Sequence, residues 1–135
     1  MSKILHISNN PEESDFPIEE IGSKISDFSQ LAISYSSIDS VTSELKEQII
    51  DLLISKLRIN GEIIFKFKNL NKIFLEYCNN TLTEEQVFLY IKDITYPTNI
   101  NKLFSYILNK YADLILLKLV EENYDYVVSF GRHRL

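Results

Sequence analysis

Apolar positions recur along this chain with two periods, and the switches between them mark the elements. Lys3 to Ser8 (Lys-Ile-Leu-His-Ile-Ser) predicts a short buried strand running into the polar turn Asn9-Asn10-Pro11-Glu12-Glu13. Residues 14–30 are mixed, and Pro17 and Gly22 interrupt any long element there. Ile38 to Val41 predicts a short strand. Ser43 is placed to cap a helix, with Glu44 in its first turn. That helix runs to about Leu57, with Leu45, Ile49, Ile50, Leu52, Leu53 and Leu57 at helical spacing and Lys46, Glu47 and Lys56 outward. Asn60-Gly61 predicts a tight turn into the clearest strand, Glu62 to Phe67.

In the second half, Asn69 predicts the cap of a helix through Tyr77, with Leu70, Ile73, Phe74 and Tyr77 on one side. Thr83 to Gln86 has the form of a capping box and opens a helix to about Lys92. Tyr96-Pro97 breaks the chain again. From about Asn99 to Glu122 runs the longest helical pattern, carrying Leu103, Phe104, Ile107, Leu108, Tyr111, Leu114, Ile115 and Val120. Tyr124 to Phe130 predicts the final strand. There is no internal repeat, linker or low-complexity segment, so residues 1–135 read as a single domain. Strands alternating with helices predict an α/β fold with helices packed on the faces of a sheet.

Composition narrows the function classes. Among 135 residues, 45% are hydrophobic and eight Phe and eight Tyr are present, which predicts a packed globular body. A net charge of -5 with scattered basic residues argues against a nucleic-acid partner. Arg132, His133 and Arg134 form a small basic end that reads as an exposed tail. Cys78 stands alone, so no disulfide or cysteine-based zinc site forms within one chain, and His6 and His133 show no ligand spacing. No signal pattern and no apolar run of membrane-spanning length is present, so a cytoplasmic location without membrane association is expected. Richness in Ile, Asn, Lys and Ser suggests an AT-rich bacterial, organellar or viral genome.

A set of short motifs then falls into a familiar order. Leu5-His6-Ile7-Ser8-Asn9-Asn10 is followed by Asp27-Phe28, Leu31-Ala32-Ile33 and Ser37-Ile38-Asp39-Ser40-Val41. Leu57-Arg58-Ile59-Asn60-Gly61, the strand Glu62 to Phe67, Lys68-Asn69-Leu70, Phe74 and Tyr77 complete the series. The series resembles the class I S-adenosylmethionine-dependent methyltransferases, in the branch that begins with a Leu-His-Leu-Gly-Cys-Gly loop. The resemblance implies a reduced Rossmann-like methyltransferase sheet and a cofactor site at Ser8, Asn9, Asn10, Asp27, Phe28 and Asp39. In the family an acidic residue at the place of Asp27 hydrogen-bonds the adenine amino group; a solvated or capping carboxylate is the alternative. Asp39 would lie beside the sheet's carboxyl edge, with a turn-capping role as its alternative.

The departures from the family bear on activity. Ser8, Asn9 and Asn10 replace the loop glycines that let the backbone approach the cofactor. The segment from about Pro11 to Ile25 is too short for a full first helix plus a second strand, and only Glu19 or Glu20 could stand in for the ribose-binding acid. Between Val41 and Gly61 the chain is shorter than the family's, and Glu44 alone stands for its Glu-His pair. Elsewhere the chemistry is sparse. His6 reads as a core or edge histidine, Glu12, Glu13 and Asp15 as a solvated acidic cluster, and the dispersed tyrosines as core or interface aromatics. Cys78 at a helix end reads as a small buried residue, with no histidine to activate it.

The expectation is thus a methyltransferase-like domain with an eroded site, where binding of S-adenosylmethionine is weak or lost. It would act through contacts with a protein partner or a second copy, within a larger assembly such as a virus or phage, in the host cytoplasm or the virion. A minimal active methyltransferase and a small α/β regulatory or inhibitor protein are the alternatives.

Overall fold

A computed structural model describes residues 4–8, 12 and 14–134. Five strands form one sheet: β1 (Ile4–Ile7), β2 (Gln30–Tyr35), β3 (Leu57–Lys68), β4 (Leu114–Glu122) and β5 (Asp125–Arg132). Their spatial order is β1-β2-β3-β5-β4, with the first three parallel and β5 antiparallel to both of its neighbours. The helices are α1 (Ile18–Lys24), α2 (Ser43–Lys56), α3 (Leu70–Cys78), α4 (Glu84–Ile91) and α5 (Ile100–Lys110). The α/β class expected from the sequence is the class observed.

The core sits on one face of this sheet. Leu5, Ile33, Ile63 and Phe130 are register partners across four strands, and Ile7, Tyr35, Phe65 and Val128 form the next row. All eight are buried, and Ile21 of α1, Ile50, Leu53 and Ile54 of α2, and Leu103 and Ile107 of α5 pack against them. Each such side chain contributes roughly 1.5–3 kcal/mol of apolar burial. Phe65 contacts Tyr35 and Phe130 edge to face, at ring separations of 6.5 and 6.1 Å. On the opposite face the rows are Ile4, Ala32, Glu62 and Gly131, then His6, Ser34, Ile64 and Ser129. Ile4 and His6 there are exposed, Ala32, Ser34, Glu62 and Ile64 are half-buried, and Ser129 and Gly131 are buried. Helices α1, α2 and α5 therefore share one side, while α3 and α4 build a separate small cluster around Ile73, Leu82 and Val87. The chain exposes 8322 Å² in all. A compact monomer of its 15.8 kDa exposes about 7,300 Å².

Several local expectations are corrected. β2 was not expected as a strand; it buries only alternate residues and shows Ala32 and Ser34 on its other side. The strand expected at Ile38 to Val41 is a single 3-10 turn, Ile38–Ser40, that buries only Ile38. Gly22 is accommodated inside α1. Thr42, one residue before the expected Ser43, caps α2 by accepting from the Leu45 amide. Lys46 and Lys56, expected outward, are both buried: the Lys46 ammonium donates to the Tyr96 carbonyl at 2.5 Å. The stretch read as one helix from Asn99 to Glu122 is α5 followed by β4, because Tyr111 takes up extended angles and Leu114 to Leu117 form an apolar run. Asn69 and the Thr83–Gln86 capping box hold as expected.

Asn60-Gly61 is not a turn between elements but a bulge inside β3. Pairing with β2 steps from Gln30 opposite Leu57 to Ala32 opposite Glu62, and Asn60 absorbs the excess with a φ of 70°. A Cβ on Gly61 would lie 2.8 Å from the Arg58 carbonyl oxygen and 3.0 Å from that of Gln30. We expect Gly61→Ala to lower unfolding free energy by about 1–3 kcal/mol in urea titrations; an unchanged midpoint would show that the bulge relaxes freely.

Helices α2 and α5 are joined by Asp51. Its carboxylate accepts from the Tyr106 hydroxyl at 2.7 Å, from the Lys110 ammonium at 2.7 Å and from the Tyr111 hydroxyl. Burial alone would raise this carboxyl, but the bonds from Lys110, Tyr111 and Tyr106 outweigh it and hold the group below the ordinary carboxylate range. A depressed carboxyl stabilises the fold above its unfolded-state pKa, and that contribution is lost as pH falls through the folded one. Asp51→Asn should cost about 1–2 kcal/mol at neutral pH, and the gap to wild type should close on acidification below about pH 4. A gap that widened in acid would contradict this.

Candidate functional site

The carboxyl ends of parallel strands are where an open α/β sheet leaves room for ligands. A crevice of about 670 Å³ lies there, beyond β1, β2 and β3. Ser8, Ser36, Ser37 and Ser40 line one side, from the ends of β1 and β2 and the turn that follows. Lys66 and Lys68 of β3 line the other, with Tyr90 of α4 above them.

Most of the polar groups around this crevice are bound to one another. Ser8 is buried; its amide donates to Ser14 Oγ at 3.1 Å and its hydroxyl lies 3.0 Å from Ser37 Oγ. Ser14 in turn donates to the Phe16 carbonyl at 2.6 Å. Lys68 lies 3.0 Å from the Asp125 carboxylate, with its ammonium 5.6 Å from the centre of the Tyr90 ring. Lys66 reaches the same carboxylate at 3.8 Å.

Asp39 is the junction of three segments. Its carboxylate accepts from the Lys68 amide and from the Thr98 amide, each at 2.9 Å. Its backbone carbonyl accepts from the Thr95 and Tyr96 amides. This is the capping role weighed for Asp39, extended from one turn to the seam between β3 and the loop before α5. Below it, burial and then the Asp39 charge push the Tyr35 hydroxyl upward, and burial lowers the Lys46 ammonium against the opposing pull of Asp39.

Asp27 and Phe28 stand elsewhere. They precede β2 at the amino edge of the sheet, separated from the crevice by the length of that strand, roughly 20 Å. The Phe28 and Ser29 amides donate to the Ser55 and Lys56 carbonyls at the end of α2. Asp27 takes the buried Lys56 ammonium at 2.6 Å. Phe28 has a φ of 55° and holds its ring 5.3 Å from the Arg132 guanidinium. Arg132, expected in an exposed tail, is buried instead. Its Nη1 donates to the Ile54 and Leu57 carbonyls, capping α2, and its Nε forms an ion pair with Asp113 at 2.9 Å.

The structure thus brings Ser8 and Asp39 to one crevice and leaves Asp27 and Phe28 at the opposite edge. Asn9 and Asn10 lie outside the described residues. Ser36, Ser37, Lys66, Lys68 and Tyr90 were not singled out as site residues from the sequence; placing β2 correctly would have put the serines at its carboxyl end. Cys78, expected to be buried, is exposed, and no group of three potential metal ligands occurs among the described residues. No described helix is long and apolar enough to cross a membrane.

Comparison with known proteins supports the fold alone. No family model and no curated protein matches the sequence. Among solved structures, a SAM-dependent methyltransferase from Anabaena variabilis matches 92% of this chain and 55% of its own, at 15% identity and a TM-score of 0.52. PKMT2 from Rickettsia typhi, solved in complex with AdoHcy, matches at 12% identity and a TM-score of 0.57, over 89% of this chain and 38% of its own. A possible exported protein from Bordetella parapertussis matches at 8% identity and 0.59, over 84% and 42%. The fold is methyltransferase-like and Rossmann-like. The chain spans about half or less of the length of these neighbours.

The described candidate residues are bonded within the chain. The amide of Ser8 is taken by Ser14, the Asp39 carboxylate binds two backbone amides, and Asp27 is held by Lys56 across the sheet. Asp39→Ala should therefore act on stability, costing about 2–3 kcal/mol by leaving two amides without acceptors, while the exposed Asp27 should cost about 1 kcal/mol on the same change. Thermal unfolding of both variants checks the ranking, which a ligand-binding role for Asp39 would reverse.

Proposed function

We propose that this chain is a methyltransferase-like scaffold that acts by binding another protein surface and does not transfer methyl groups. The observation that carries this reading is the dispersal of the candidate cofactor residues: Ser8 and Asp39 sit at one edge of the sheet and Asp27 and Phe28 at the other, each bonded internally. Exposed apolar side chains support it from the other direction. Ile115, Leu116, Leu117 and Leu119 stand open on β4, and Leu75, Phe88 and Leu89 on the α3–α4 pair. A composition suggestive of an AT-rich genome motivates placing such a scaffold in a viral or phage assembly.

A second reading, a minimal active methyltransferase, draws on the crevice beside Ser8, whose volume suits a small ligand, and on the AdoHcy complex of the Rickettsia typhi neighbour. Methyl transfer by direct displacement rests on positioning, so the scarcity of acid-base groups does not count against it. Isothermal titration with S-adenosylmethionine and with S-adenosylhomocysteine separates the two. The scaffold reading expects no binding tighter than about 1 mM. Micromolar affinity, lost in Ser37→Trp, would establish the second.

A further inference from the structure

A smaller cavity lies on the helix-covered side, where the first turns of α2 and α5 meet the loop that precedes α5. Its volume is about 170 Å³, room for several waters. Ile38, Ile50 and Leu103 give it apolar walls, and Ser43, Lys46 and Thr98 bring polar groups to it.

Two of those polar groups are under-satisfied. Lys46 is only 9% exposed, and an ammonium carries three donors. Among the described residues the Tyr96 carbonyl is its sole hydrogen-bond acceptor, and no carboxylate forms an ion pair with it. Burial depresses this ammonium, and the pull of Asp39 does not offset it, because that carboxylate is bound to the Lys68 and Thr98 amides. The Thr98 hydroxyl is buried with no hydrogen-bond partner among the described residues. A buried charge and a buried hydroxyl in that condition each destabilise the fold, and an acceptor in the cavity would satisfy both. The local field has the matching sign. Helices α2 and α5, of 14 and 11 residues, both begin at the cavity, so the positive ends of two helix dipoles meet there. Glu47 and Lys102, the other charged residues that line it, are both exposed and oppose one another.

We propose that this cavity binds a short-chain carboxylate, whose head accepts from Lys46 and Thr98 and whose tail lies against Ile38, Ile50 and Leu103. The head is anionic because both under-bonded groups donate, and a carboxylate has two oxygens to share between them. The tail is apolar because the walls are, and short because the cavity is smaller than the sites that hold drug-sized ligands. The cavity shares no lining residue with the crevice at the strand ends, so the proposal goes beyond the scaffold reading and stands apart from it.

Amide chemical shifts of the isotope-labelled full chain, followed as sodium butyrate is added against sodium chloride at equal ionic strength, test this. Butyrate should bind with a dissociation constant of about 1 mM, and the shifts should centre on residues 38–50 and 97–106. Each methylene added from acetate to butyrate should tighten binding about fourfold. Lys46→Met keeps an apolar stem in place and removes the charge, and should weaken binding about tenfold or more. Thr98→Val removes the hydroxyl but keeps the amide that Asp39 holds, and should weaken binding about fivefold. Shifts that chloride reproduces, or that Lys46→Met retains at full affinity, would overturn the site. Equal affinity for acetate and butyrate would overturn the apolar tail. No response at about 20 mM butyrate would overturn the proposal and leave water as the occupant. Should Lys46→Met fail to fold, Thr98→Val and the chain-length series decide the matter by themselves.

Discussion

Burial on a single face of the sheet is the constraint on which the rest of this structure depends. Two rows of side chains, Leu5–Ile33–Ile63–Phe130 and Ile7–Tyr35–Phe65–Val128, carry the core across four strands. Helices α1, α2 and α5 must all return to that side, which makes the molecule two-layered where parallel sheets are ordinarily covered twice. With half of the usual cover, the sheet relies on bonds at its two ends. Asp39 ties β3 to the loop before α5 at the carboxyl end. Arg132 ties β5 to the end of α2 and to Asp113 at the amino end. Both are buried or half-buried charges held by backbone groups, so neither is free to serve a ligand without loosening the sheet.

The candidate residues are thus bonded into two separate structural clamps. A methyltransferase-like sheet places its ligand against strand ends, where backbone amides and a few carboxylates converge. Here the groups at those positions satisfy one another. Ser8 is bonded to Ser14 and Ser37, and the Asp39 carboxylate accepts from the Lys68 and Thr98 amides. The crevice persists in shape, but its lysines face Asp125 and its serines face each other.

Much of the architecture was legible in the sequence, and the errors share a cause. The caps at Asn69 and Thr83, the helix before Leu57 and the strand Glu62 to Phe67 were readable because cap chemistry and strong periodicity act locally. β2 was not, since a strand with one open face keeps only Ile33 and Tyr35 fully buried and hides them among Ser, Ala and Gln. The strand was expected instead at Ile38–Val41, which is the turn that follows it. β4 was read as helix because an apolar run exposed on both faces has no strand alternation to detect. Lys46, Lys56 and Arg132 were placed outside because their charge outweighs their stems in any pattern count; the fold buries the stems and gives each charged end a backbone carbonyl or a carboxylate.

The same one-sidedness bears on the unequal edges. Over the four described residues of β1, the Asp15 carboxylate and amide bond the His6 backbone at the outer edge. β4 has nine residues, and its antiparallel pairing with β5 runs its full length. Its Leu and Ile residues place apolar surface on both sides of an edge whose backbone groups are open, a combination that favours continuing the sheet over leaving it in water.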